Sequence, residues 1–312
     1  MDLGAHLPLI QFGEDVLSQD RLRGVVDTAR ECGFAAVSAN DHFVFKRPWL
    51  DGPTALASVI ERSGEMTLAT TVALSALRGP VALAKALAAI DTLSGGRLIA
   101  ALGPGSSRRD HELVGLDFDE RWKRFDESIA VLRALLERKP PAKDLRYFPV
   151  PGDVELLPGP ASSRGVPLWI GSWGSAAGLA RVARAADGWL ASAYNTTPER
   201  FADACAALAR ALADRGRDSE AFPNALSTMW TWVTDDRAER DRVLTETLAP
   251  LLGRDVADLR GLVCVGAPEE CAQVLSRYAE AGCDRVYLWA LGDERRQLER
   301  VAAEVAPLVT SG

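Results

Sequence analysis

Long apolar runs are missing from this chain: no stretch approaches the roughly 20 consecutive apolar residues that span a bilayer, and no secretory leader pattern stands at its start. A cytoplasmic protein is expected. Histidine is scarce, with His6, His42 and His111 as the three residues, and none falls at Glu-x-x-His or His-x-His spacing. No resident metal is expected. The five cysteines (Cys32, Cys205, Cys264, Cys271, Cys283) are odd in number and never spaced as Cys-x-x-Cys, which argues against a disulfide framework or a zinc knuckle and for reduced, buried thiols. Positive charge is also short. The 36 Lys and Arg against 43 Asp and Glu leave a formal charge of -7, which repels phosphate backbones and anionic lipid. Nucleic acid and membrane surfaces are not expected as partners.

What the chain does have is 312 residues, 47% of them hydrophobic, enough for one large core over residues 1–312. Short β-rich runs alternate with segments of helical period. Strands are read near Leu3 to Leu7, Ala35 to Ala39, Thr67 to Ala73, Leu98 to Leu102, Leu168 to Gly171, Gly188 to Ser192, Ala225 to Val233 and Arg285 to Ala290. Helices are read at Arg21 to Glu31, Val81 to Leu93, Phe125 to Glu137, Ala176 to Ala185, Phe201 to Arg215 and Glu269 to Ala281. Eight strands joined by crossover helices predict a (β/α)8 barrel, the TIM barrel of the α/β class. A doubly wound sheet would carry a glycine-rich turn after its first strand, where this chain has His6-Leu7-Pro8-Leu9. Insertions are expected after the fourth strand, from Gly103 to Trp122, and over 139–167, a Pro- and Gly-rich stretch read as a lid or rim.

Function in a barrel gathers where the strands end. His42 follows the second strand, beside Asp41, where an imidazole can exchange a proton near neutral pH; a histidine that merely satisfies a loop carbonyl is the competing account. His6 lies inside the first strand and could line the same pocket. His111 sits among Arg108, Arg109, Asp110 and Glu112, which read together as solvated surface. After the fourth strand, Gly103, Gly105 and Ser106 would let a planar ligand approach the backbone, although an ordinary turn explains them as well. Gly171, Ser172, Gly174 and Ser175 lead an apolar strand into a helix whose first amides could hold a phosphate, or serve only as its cap. Trp49, Trp230 and Trp289 fall near strand ends and could wall a flat heterocycle, with plain core packing as the alternative for Trp230 and Trp232. Lys46 and Lys85 read as peripheral, which leaves little support for an aldolase- or isomerase-type barrel.

In order along the chain, Asp41-His42-Phe43, Leu68-Ala69-Thr70-Thr71-Val72, Leu93-Ser94-Gly95-Gly96-Arg97-Leu98, Arg121-Trp122-Lys123-Arg124-Phe125-Asp126-Glu127, Trp169-Ile170-Gly171-Ser172 and Ala186-Asp187-Gly188-Trp189 resemble the bacterial luciferase-like superfamily of flavin- and deazaflavin-dependent oxidoreductases. The resemblance covers essentially the whole chain. It implies coenzyme F420 or FMN at the C-terminal mouth of the barrel, and hydride transfer or monooxygenation of a small organic substrate. His42 then looks like the active-site histidine, Asp41 like its neighbour near the ring, and Gly174 and Ser175 like the phosphate holders. It further implies a non-proline cis peptide between Thr71 and Val72 that forms a bulge behind the ring, and a homodimer. Ser106 stands where some deazaflavin dehydrogenases carry a glutamate, and Pro48-Trp49 follows His42 at longer spacing than in such members. The cofactor choice stays open, and a catalytically silent flavin-binding barrel is the alternative function.

Overall fold

A computed structural model describes residues 1–13 and 16–310. The strands are β1 (Asp2–His6), β2 (Ala36–Ala39), β3 (Thr67–Leu74), β4 (Leu98–Gly103), β5 (Leu168–Gly171), β6 (Gly188–Ser192), β7 (Asn224–Val233), β8 (Cys264–Gly266) and β9 (Arg285–Ala290). All pair in parallel. The sheet runs from β6 through β5, β4, β3, β2, β1 and β9 to β7, and the β6–β7 pairing closes it. The eight strands expected from the sequence are the eight barrel staves, so the (β/α)8 reading holds. β8 is additional, a three-residue strand pairing with Thr231 to Val233 at the end of β7.

The helices begin at chemically sensible places. Ser18, Ser175 and Thr197 cap helices Gln19–Glu31, Ala176–Ala185 and Pro198–Ala213, each side chain accepting a backbone N–H of the first turn. Pro80, Pro198 and Pro268 sit in first turns, where the missing N–H removes no helical bond.

Inside the barrel the floor is made of two large rings among small residues. Trp169 and Tyr287 are buried with Ala36, Ala69, Ala101, Leu190 and Ala225. A Cβ added to Gly188 would stand 2.3 Å from the Trp169 ring, and one added to Gly4 would stand 2.6 Å from Tyr287. Each ring therefore occupies the space that the neighbouring strand leaves by carrying glycine. With the floor filled, the cavity lies toward the C-terminal ends of the strands.

Parallel closure puts every strand end, and so every loop that follows one, on a single rim. The loops of His42 and Gly174 share it. The expected excursion after β4 contains helix Arg108–Leu113 and the 3-10 turn Phe118–Glu120. The stretch 139–167 has no strand or helix and precedes β5. Its middle is tied to the first turns of helix Arg121–Leu136, because Glu127 accepts the N–H groups of Arg146, Tyr147 and Phe148 at 2.9, 2.6 and 2.6 Å. A further helical excursion is absent from the sequence expectations: between β7 and β8 the chain makes helix Arg237–Arg242, the π-helical stretch Val243–Leu248, and the short helices Ala249–Leu252 and Val256–Leu259. Leu244, Leu248 and Leu259 from it pack with Ile10, Trp230 and Trp289 over the barrel mouth.

Gly188→Ala and Gly4→Ala are expected to lower stability by about 1 to 3 kcal/mol through overpacking. Gly152→Ala, which meets nothing within 4 Å, is expected to fall within about 0.5 kcal/mol of the parent. Urea unfolding midpoints check both; equal midpoints for all three variants would remove the packed floor.

Candidate active site at the barrel mouth

At the rim lies a cavity of about 500 Å³ whose lining includes Asn40, His42, Ser106, Ser107, Trp230 and Trp289. His42 stands on its wall because β2 ends at Ala39 and the chain turns outward. The Nδ1 atom of His42 lies 2.9 Å from Asp110 Oδ2, and the other oxygen of that carboxylate accepts the Val44 N–H at 2.9 Å. Burial works to raise the Asp110 carboxyl, but His42 and the amides of Val44 and Phe43 outweigh it and hold the group below its ordinary range. An ionised Asp110 accepts, so Nδ1 donates and Nε2 is the free nitrogen of His42.

Asp110 and His111 are therefore not solvated surface. Both are fully buried on helix Arg108–Leu113, while Arg108, Arg109 and Glu112 face solvent. Ser107 caps this short helix through the Asp110 N–H, and its carbonyl accepts from His111 Nδ1 at 2.9 Å. Lys46 is not peripheral either, since it lines the cavity. The fourth-strand loop lacks a glutamate at Ser106, yet it supplies a carboxylate four residues later, behind His42. A Ser-x-x-Asp spacing after the glycine turn is the sequence signal that could have revealed it.

Asp41 is committed elsewhere. Its two oxygens accept from Arg78 Nε and Nη2, each at 2.6 Å, and Oδ2 also accepts the Leu74 N–H at 3.2 Å. Arg78 in addition donates to Asp51, the N-cap of helix Gly52–Ser58. This network clamps the His42 loop.

The aromatic wall is continuous. His6 stacks on Trp289 at 3.7 Å, and Trp289 stacks on Trp230 at 4.1 Å. Trp49 stands edge-on to both Trp289 and His42, at 5.7 and 4.6 Å. His6 Nδ1 donates to the Leu7 carbonyl at 2.7 Å. Burial drives its pKa down to about 3, and the Leu7 carbonyl and, less, the neighbouring Asn40 only partly counter that fall. The ring is neutral, and its Nε2 is a buried acceptor without a partner. Burial also keeps the cavity-lining Tyr194 phenol protonated by raising its pKa, against the opposing effects of Asn195 and Arg254.

The expected backbone feature is present: the Thr71–Val72 peptide is cis, and the β3–β4 register slips there. Val72 is the extra residue. Its side chain fills the space beside Gly103 and Gly171, where added Cβ atoms would stand 2.6 and 2.9 Å from it. Gly105 leaves room for the His111 ring, 3.1 Å from where a Cβ would be. These three glycines are accounted for by packing. Gly174 is different, with φ of +87° and nothing nearer an added Cβ than Ala204 at 3.4 Å. Ser172 Oγ accepts the Gly174 N–H at 3.3 Å, and Ser175 Oγ accepts the Gly178 N–H at 3.2 Å. The Ala176 and Ala177 amides stay outside that cap.

The profile of the luciferase-like monooxygenase family matches residues 1–285. The chain belongs to this family. The phthiodiolone/phenolphthiodiolone dimycocerosates ketoreductase of Mycobacterium sp. (strain JLS) is 29% identical over 199 residues, 63% of this chain and 51% of the relative. An F420-dependent glucose-6-phosphate dehydrogenase of Amycolatopsis mediterranei is 33% identical over 136 residues, 40% of this chain and 38% of that protein. The chain thus matches about half or less of the length of these curated relatives. Among solved structures, an F420-dependent secondary alcohol dehydrogenase in complex with an F420–acetone adduct aligns with a TM-score of 0.85 at 17% identity over 99% of both chains. The oxygenating constituent of 3,6-diketocamphane monooxygenase of Pseudomonas putida, in complex with FMN, aligns with a TM-score of 0.77 at 16% identity over 99% of both. Both share the fold.

The mouth fits the ring cofactor that such relatives are named for. Thr71 Oγ1 and Asn40 Oδ1 are buried without partners among the described residues, and each unmade bond costs about 1 to 3 kcal/mol unless a ligand completes it.

The neutral His6 sets a pH dependence. Unfolded His6 takes up a proton below about pH 6.5 and the buried ring refuses it until about pH 3, so stability falls as pH drops through that window. Between pH 7 and pH 5 the expected loss is roughly 2 kcal/mol. His6→Phe, which keeps a ring against Trp289, is expected to flatten that slope in urea unfolding; an unchanged slope would disprove the neutral-histidine assignment.

Proposed function

We propose that the cavity at the barrel mouth is the active site of an oxidoreductase that uses coenzyme F420 or FMN to act on a small organic substrate, by hydride transfer or monooxygenation. The observation that carries the reading is His42: a histidine on the wall of a deep aromatic cavity, oriented by the buried Asp110 at 2.9 Å. When bound, the cofactor supplies a flat ring that exchanges two electrons.

His42 Nε2 is the atom that gives or takes a proton at the reacting centre, and Asp110 fixes the ring's tautomer and orientation. The Gly174–Ser175 turn and the Ala176 and Ala177 amides hold the cofactor phosphate at the start of helix Ala176–Ala185. Thr71 and Val72 on β3 and Ser106 after β4 would contact the ring. Asp41 acts at one remove, holding the His42 loop through Arg78. Trp49, Trp230 and Trp289, with the β7–β8 insertion above them, keep water from the site.

Fluorescence titration with F420 and with FMN is expected to show tight binding of one of the two. With that cofactor, His42→Asn is expected to lower kcat by about 10² to 10⁴ while cofactor affinity stays within a few-fold, and Asp110→Asn to lower kcat by a smaller factor. Wild-type kcat in His42→Asn would refute the proton role. Cofactor binding with no turnover on any substrate would favour a silent binding protein, and binding of neither cofactor would remove the redox reading.

A further inference from the structure

The cavity wall is lopsided in charge. Among the described residues, Lys46 and Arg109 line it and no aspartate or glutamate does, although acidic residues outnumber basic ones 43 to 36 in the chain. Lys46 has no ionic partner among the described residues. Among the described residues, Arg109 pairs with Glu112 alone, at 3.4 Å, with both side chains well exposed. These cations stand at the outer end of the cavity. At its inner end are Trp230 and Trp289, almost fully buried, with Leu251 and Leu252 of the β7–β8 insertion also lining the space. The indole N–H groups of Trp49 and Trp230 are donors without acceptors. The wall therefore offers flat apolar surface and two hydrogen-bond donors toward its buried end and positive charge toward solvent.

We propose that this cavity selects a flat aromatic substrate that carries an acceptor oxygen at its inner end and an anionic group at its outer end. The rings lie between the tryptophan wall and Leu251–Leu252, the oxygen accepts from Trp49 and Trp230, and the anion faces Lys46 and Arg109. The substrate class rests on the reading of the cavity as a redox site, but binding tests it apart from turnover.

Calorimetric titration of the purified protein, with and without saturating cofactor, uses 6-acetyl-2-naphthoate (hereafter naphthoate), 2-acetylnaphthalene, 2-ethylnaphthalene and decanoate as probes. Naphthoate is expected to bind about tenfold tighter than acetylnaphthalene, a difference of about 1.4 kcal/mol, with ethylnaphthalene weaker again and decanoate weakest. Lys46→Ala with Arg109→Ala is expected to bring naphthoate level with acetylnaphthalene. Trp230→Phe, which keeps a ring and loses the donor, is expected to bring acetylnaphthalene level with ethylnaphthalene. Ethylnaphthalene affinity in each variant reports that the cavity is intact. Decanoate outbinding naphthoate, or the same ranking in both variants, would overturn the proposal. It also falls if the Lys46/Arg109 variant weakens the cofactor and leaves the naphthoate preference whole, because the anion they pair with then belongs to the cofactor. The expected ranking in a protein that binds neither cofactor would uphold the substrate class and sink the redox reading alone.

Discussion

The site depends on one buried carboxylate. Asp110 is carried by the loop after β4 and spends its two oxygens on the loop after β2, one on His42 Nδ1 and one on the Val44 amide. A charge without solvent is costly unless it is paired and hydrogen-bonded, so this position holds the two loops in one relative arrangement. Behind it, Ser107 caps the short helix and His111 fills the space left by Gly105. On the far side of the same loop, Arg78 gathers Asp41 and Asp51. His42 thus stands between two ion-pair networks of opposite construction, a buried anion behind it and a half-buried cation holding its loop, and its ring has little freedom to turn.

The fold was legible in the sequence because parallel strands buried on both faces read as short apolar runs between helical periods. The site was legible in part. His42 was visible from its place after a strand, and the Thr71–Val72 bulge from a resemblance. Asp110 and His111 were hidden inside Arg-Arg-Asp-His-Glu, which has the composition of a solvated face. On a helix of six residues, however, Asp110 and His111 turn inward together while their charged neighbours turn out. Gly103 and Gly171 could not be interpreted from sequence at all, since what demands their missing side chains is Val72, far from both in the chain. The β7–β8 insertion was overlooked for a different reason. Pro250, the left-handed Gly253 and the π-helical turn break it into pieces too short for a helical period to stand out.

Stability and function pull against each other at the mouth. The floor of the barrel is packed to contact, so little can be gained there. The rim keeps buried donors and acceptors without partners, among them Trp49, Trp230, Asn40 and the neutral His6. Such groups are rare in folded chains because each raises the free energy of the native state. Where they border a cavity, as Asn40, Trp49 and Trp230 do, a ligand can complete them, and two of the three also supply aromatic area.

The tryptophan wall itself is a consequence of backbone register. β7 pairs Leu226 with Val286, and an unbroken ladder would set Trp230 opposite Ala290. One extra residue in β7 shifts the pairing so that Met229 meets Leu288 and Trp230 meets Trp289. Thr228 takes up the change with φ of +56°, a left-handed conformation that a β-branched residue adopts only under constraint. The constraint is visible: Thr228 Oγ1 donates to the Ser227 carbonyl at 2.7 Å and accepts from Ser192 Oγ on β6 at 2.8 Å. Neighbouring strands thereby hold the bulge open, the bulge brings the two indoles face to face, and His6 on β1 closes the stack. A local cost in backbone conformation is converted into a rigid aromatic surface spanning three staves of the barrel, which no ladder of regular register would have placed at its mouth.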